Sequence, residues 1–123
     1  MIQIITRDNR RLFHHALMEM HRQRKQLFID RMQWRLNESM GLEIDEFDSE
    51  TATYLIDVDE NGAVLQSARL LPTVEPHLLS EVFPELCSDG PPCSEQVWEA
   101  SRFCPAPDTP KGEPRRRLLG RMI

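Results

Sequence analysis

Apolar positions recur at three- and four-residue intervals through the first third of the chain. Leu12, Phe13, Ala16, Leu17, Met20, Leu27 and Phe28 share one stripe, with Arg24 among them. That period predicts a helix starting after Asp8 or Asn9, either of which suits an N-cap. Arg10, Arg11, Arg22 and Lys25 fall on the other faces. Phe28, Met32 and Leu36 prolong this helix or open a second one, and Gly41 breaks the pattern. Ahead of the helix, residues 2–6 read as a short strand.

Farther along, the reading turns to strands. Residues 53–58 and 63–71 read as two strands around 59–62, where Asn61-Gly62 is a strong hairpin signal. Residues 42–50 read as an acidic loop, 78–86 as a short helix after Pro76, and 96–103 as a further strand. Pro105, Pro107 and Pro110 mark an extended loop, and Glu113-Pro114 suits the start of a last helix. This order predicts one domain over 1–123 of α/β (α+β) class, a mixed sheet flanked by helices.

Composition narrows the class. The chain is 40% hydrophobic and 28% charged, as a folded domain is. No apolar run approaches the roughly 18–20 residues a membrane span needs, and no secretory signal opens the chain, so a cytoplasmic protein is expected. Cys87, Cys93 and Cys104 form no CxxC pair, so free thiols are expected and a zinc site is not. Charge is uneven. Residues 1–35 carry eight Lys/Arg against three Asp/Glu, net +5, while residues 36–108 carry two Arg against sixteen acids, net −14. The acidic middle argues against nucleic-acid binding. Residues 109–123 return to net +4, and basic ends attract acidic partners.

Three stretches set charges among large apolar residues: Glu43-Ile44-Asp45-Glu46-Phe47-Asp48, Ser67-Ala68-Arg69-Leu70-Leu71, and Val97-Trp98-Glu99-Ala100-Ser101-Arg102-Phe103. Buried charge is costly unless paired, so these charges are expected to meet in one internal cluster. Such a cluster serves a polar ligand or acid–base chemistry, or consists of structural ion pairs. His14, His15, His21 and His77 form no ligand set and read as surface or core residues. No glycine-rich phosphate loop is present.

With Arg24, Phe28, Trp34, Asp45, Asp48, Arg69, Glu99 and Arg102 in order, and the strings Arg-Leu-Leu-Pro-Thr and Trp-Glu-Ala-Ser-Arg-Phe around the later ones, residues 5–104 resemble the acyl-homoserine-lactone synthase family, the LuxI-type autoinducer synthases of quorum sensing. The resemblance implies a GNAT-like acyltransferase fold, a twisted mixed sheet flanked by helices, of which this chain is expected to hold the N-terminal portion. It implies transfer of an acyl chain from acyl carrier protein, or from acyl-CoA, to the amine of S-adenosylmethionine, followed by lactonisation. S-adenosylmethionine is then a co-substrate, and no resident cofactor or metal is expected.

The same resemblance implies roles. Arg24, Phe28 and Trp34 match positions that form the S-adenosylmethionine site, and Asp45, Asp48, Arg69, Glu99 and Arg102 match the charged cleft. Glu99 matches the position of a general base. Asp45 or Asp48 could offset the sulfonium charge, and Arg24 or Arg102 could hold the carboxylate. Lys111, Arg115, Arg116 and Arg117 are expected to dock an acidic acyl carrier protein. An oxyanion donor is expected from the backbone of residues 103–106. Two other readings stand beside this one: a non-catalytic remnant that acts as an interaction module, and a GNAT-like N-acyltransferase that uses coenzyme A thioesters on another amine.

Overall fold

The computed structural model describes residues 1–110. Lys111, Arg115, Arg116, Arg117 and the helix expected from Glu113 lie outside the described residues. The described chain begins with strand β1 (Ile2–Ile5) and a helical rod, α1, over residues 10–31. The rod changes pitch twice: it is 3-10 over Arg10–Phe13, α over His14–Arg24 and π over Lys25–Arg31. Neither Asp8 nor Asn9 caps it by side chain. The Asn9 carboxamide instead folds back on β1, accepting from Thr6 N–H at 2.9 Å and donating to the Ile4 carbonyl at 3.0 Å. The opening 3-10 turn also takes Leu12 off the apolar stripe, because three residues per turn advance faster than 3.6. Leu12 is exposed, while Leu17, Met20, Leu27 and Phe28 are buried as expected.

After α1 comes a small hairpin that the sequence reading assigned partly to loop. Strands β2 (Glu38–Ser39) and β3 (Leu42–Glu43) pair across Met40 and Gly41, both at positive φ, as a tight two-residue hairpin turn demands. Strands β4 (Thr53–Val58) and β5 (Val64–Pro72) then form the expected hairpin. The Asp59 carboxylate accepts from the N–H groups of Asn61 and Ala63, and Gly62 takes positive φ. A one-turn helix α2 (Leu78–Glu81) precedes strand β6 (Trp98–Pro105).

The main sheet has the order β1-β4-β5-β6, and every described pair is antiparallel. The mixed character expected of the sheet does not arise among these strands. A parallel pair needs a long crossover, and β4–β5 is joined by a tight turn instead. One row crosses the sheet through Ile5, Tyr54, Arg69 and Ser101. On this face Leu17 and Met20 of α1 pack against Ile5, Tyr54, Ile56, Val64 and Leu71. A second cluster joins Leu27 and Phe28 to Cys104, with Leu36 against it. Among the described residues, no helix is long and apolar enough to cross a membrane.

Strand β6 carries one irregularity. Ser67 faces Cys104 and Arg69 faces Ser101, so β6 has one more residue than β5 between these pairs. The extra residue is accommodated at Arg102, which has φ 57°. A bulge of this kind re-aims a side chain. Strict alternation would send Arg102 to the face opposite Ser101; the bulge turns it toward the helix side.

Candidate active site

Arg24 is the charged residue on the apolar stripe of α1, and the structure seals it completely. Its Nε donates to Glu43 Oε1, and its two Nη atoms fork onto the two oxygens of Asp48, all at 2.9 Å. Arg69, from the middle of β5, donates through Nη1 to Asp45 Oδ1 and through Nε to Ser101 Oγ at 3.1 Å. Arg102, aimed by the bulge, donates through Nε to Glu43 Oε1 at 2.7 Å and through Nη2 to Asp45 Oδ2 at 3.0 Å. Three guanidiniums therefore alternate with three carboxylates in a neutral, nearly dry network. Tyr54 Oη and Asp45 N–H add donors to Asp48. Glu43 Oε2 and Arg69 Nη2 are buried with no hydrogen-bond partner among the described residues.

This geometry divides the expected ligand contacts. Arg24 and Asp48 are bonded to each other with buried side chains, and neither lines the adjoining cleft. Arg102 and Asp45 sit at the edge of the cluster and line that cleft. Glu43, Asp45 and Asp48 each bring a carboxylate oxygen within 4.8 Å of the others, the spacing of a metal site. The arginines already neutralise them, and a dication would have to displace those charge-assisted bonds.

Electrostatics follow from the packing. Burial alone would raise the Asp48 pKa. The Arg24 hydrogen bonds, the charges of Arg24 and Arg69, and the Asp45 N–H outweigh it and hold the carboxyl far below the usual range. Burial also opposes the Arg24 charge, yet Asp48 and Glu43 hold its pKa above the ordinary value. Burial, then the Asp48 charge and hydrogen bond, push the Tyr54 hydroxyl up.

His21 Nδ1–H donates to the Glu43 carbonyl at 2.9 Å. Burial, then the Arg24 charge, lower the ring's pKa. Folding therefore favours the neutral ring. Its contribution to stability is complete above the unfolded pKa of about 6.5 and is lost as pH falls below it. Asp48 adds a second loss, beginning only below about pH 4. In urea melts at a series of pH values, the wild type is expected to weaken between pH 7 and 5.5, and His21→Gln to weaken less over that window. An unchanged slope in His21→Gln would assign the effect to other groups.

The aromatic part of the site is set by the end of α1. Trp34 N–H reaches back to the Phe28 carbonyl at 2.8 Å, with Gln33 in the left-handed conformation between. That closure spans seven residues, one more than the bond that ends an ordinary α-helix, in keeping with the π pitch of the last turn. Trp34 stacks on Phe28, ring centroids 4.9 Å apart and 12° from parallel, and the Arg102 guanidinium lies 5.8 Å from the Phe28 ring centre. Phe28 is buried; Trp34 is 44% exposed. The cleft that begins there has a volume of about 620 Å³. Its walls are Trp34, Leu36, Leu78, Val82 and Phe83, and Asp45, Ser101 and Arg102 supply its polar side.

Glu99 stands apart from the arginines. Its Oε1 and Oε2 accept from Leu78 N–H at 3.0 Å and Leu79 N–H at 2.8 Å, at the start of α2. Among the described residues its carboxylate is held by these two N–H groups and not by Arg69 or Arg102. The sequence reading named neither Glu43, the acid shared by Arg24 and Arg102, nor Ser101 nor Tyr54 as site residues. Glu43 lies in the acidic string, but nothing there marks which of its four acids turns inward.

Comparison with known proteins gives a consistent picture. A family model described as "Autoinducer synthase" matches residues 8–118. The chain is 41% identical over 81 residues to an acyl-homoserine-lactone synthase of Acinetobacter nosocomialis, covering 65% of this chain and 44% of that protein. It is 34% identical over 106 residues to one from Pseudomonas aeruginosa, covering 84% and 52%. A solved coenzyme-A-dependent acyl-homoserine lactone synthase with SAM and isopentyl-CoA is similar at TM-score 0.88 and 32% identity, over 99% of this chain and 58% of that one. The chain spans about half the length of the curated relatives it matches.

Proposed function

This chain belongs to the autoinducer synthase family, and on that premise we propose that its cleft serves acyl-homoserine-lactone synthesis. The fold is GNAT-like, as in the acyl-homoserine-lactone synthases of known structure it resembles. In this reading S-adenosylmethionine is the acceptor, and an acyl thioester of acyl carrier protein or coenzyme A is the donor. The observation that carries it is Trp34, stacked on the buried Phe28, beside the Arg102–Asp45 ion pair on one cleft. That pairing suits a ligand with a cationic sulfonium, an aromatic base and a carboxylate.

The chemistry needs two steps. The acceptor amine gives up a proton, its nitrogen attacks the thioester carbonyl, and the thiol leaves with the proton balance restored. The methionyl carboxylate oxygen then attacks the carbon that bears the sulfonium, closing the lactone and releasing methylthioadenosine. Glu99 is the proposed proton acceptor, its carboxylate oriented by two N–H donors. Arg102 is the proposed carboxylate partner. Docking of an acyl carrier protein on Lys111 and Arg115, Arg116 and Arg117, the absence of a resident cofactor, and a cytoplasmic location complete the proposal.

The test is incubation of the chain with S-adenosylmethionine and a panel of acyl carrier protein and coenzyme A thioesters, read by mass spectrometry. Acyl-homoserine lactone with matching methylthioadenosine is the expected result. A folded chain that binds S-adenosylmethionine and yields no lactone would overturn catalysis by this chain. Acylation of another amine without S-adenosylmethionine would favour the coenzyme-A-dependent N-acyltransferase. Trp34→Ala is expected to weaken S-adenosylmethionine binding about fivefold to tenfold, the worth of one aromatic face against a cation. Titration calorimetry checks this, and an unchanged dissociation constant would reduce Trp34 to packing.

A further inference from the structure

We propose that Glu99 is also a positioning residue, whose carboxylate fixes the α2 wall of the cleft to the sheet. This deepens the function proposed above and rests on it for the ligand. α2 is a single turn, too short to hold its place by its own hydrogen bonds. Three of its features face the cleft: Leu78 from its first position, and Val82 and Phe83 just past its end. Val82 and Phe83 are exposed, and of the three only Leu78 packs against the sheet core, so apolar packing holds the segment at its start and not at its end. A polar tie adds to it: Leu78 N–H and Leu79 N–H donate to the two oxygens of Glu99, from the first half of β6. Glu99 faces Leu71, and Ser101, two residues on, faces Arg69 and accepts from it. The strand that orients the charged side therefore orients the apolar wall as well.

Two roles at one carboxylate have to be separated by experiment. Glu99→Gln keeps one acceptor oxygen and turns an amino group toward an N–H donor. Loss of activity in that variant mixes removal of a base with release of the wall. Leu78→Pro separates the two, because it deletes one N–H of the anchor and leaves the Glu99 carboxylate in place. Proline fits there. Leu78 is the first helical residue, and His77 before it is extended at φ −143° and ψ 174°, as a residue preceding proline prefers. Leu78→Ala is the control for the lost leucine side chain.

The experiment uses the 123-residue chain and reads amide hydrogen exchange over residues 79–83, then S-adenosylmethionine binding by calorimetry. Leu78→Pro and Glu99→Ala are expected to speed exchange about tenfold or more over Leu78→Ala and wild type, the loss of a hydrogen bond to a charged acceptor. Leu78→Pro is also expected to bind several-fold more weakly than Leu78→Ala. Exchange in Leu78→Pro no faster than in Leu78→Ala would overturn the anchor. Faster exchange with unchanged binding would overturn its role in the cleft. A wild-type chain that binds no S-adenosylmethionine would sink the function proposed above, and exchange alone would then decide the anchor.

Discussion

Arg24→Ala is expected to lower the unfolding free energy by about 3–5 kcal/mol, the cost of breaking a buried ion pair from one side. The side chain is wholly buried and makes three charge-assisted bonds, one to Glu43 and two to Asp48. Its removal strands two carboxylates where water does not reach. Arg69, Arg102 and Tyr54 still touch those acids, which keeps the figure from rising higher. Against a total of about 5–15 kcal/mol for a domain, such a loss leaves a marginal fold. Arg24→Lys keeps the charge and forfeits the fork, so it belongs between the two. Urea melts at pH 7 measure the series. The deficit should shrink toward pH 3, because the stranded acids then bury as neutral groups while wild type loses its Asp48 contribution. A loss below about 1 kcal/mol at pH 7 would mean that the network contributes nothing net, as buried ion pairs sometimes do.

Arg24 was legible because it broke a pattern: one cation on an apolar stripe has to be buried with a partner. The β4–β5 hairpin was legible because both its strand composition and its turn chemistry were local, down to the Asp59 carboxylate and Gly62. Features set by distant pairing were not. Glu43 meets Arg102 across 59 positions, and no window of sequence contains both. The β2–β3 hairpin has two-residue strands, too short to show alternation, and Met40 in its turn carries no signal for positive φ. The π turn of α1 and the bulge at Arg102 each shift a residue without altering composition. Both aim site residues: the one ends in the Phe28–Trp34 stack, the other delivers Arg102. Regular periods predict regular elements, so a site built from departures is the part that reading misses.

Arg102→Gly is expected to do the opposite of Arg24→Ala: weaken S-adenosylmethionine binding about tenfold to a hundredfold and change stability by only about 1 kcal/mol. Arg102 holds a backbone conformation that costs a non-glycine residue about 1–3 kcal/mol and that glycine adopts freely. That relief offsets the two bonds lost. Neither partner is abandoned, because Glu43 Oε1 keeps Arg24 Nε, and Asp45 Oδ1 keeps Arg69 Nη1 and the Phe47 N–H. What goes is the guanidinium on the cleft beside the aromatic stack. A charge-assisted bond to a ligand carboxylate is worth about 1.5–3 kcal/mol, which sets the expected range in affinity. Calorimetry and urea melts on one preparation read both quantities. A stability loss equal to that of Arg24→Ala would make Arg102 a second structural pillar. Unchanged binding would remove it from the ligand site and leave the strained φ without a functional account. With the expected outcome, the network divides into a sealed half that holds the fold and an open half that holds the ligand. The bulge in β6 is then the device that carries one arginine across the boundary.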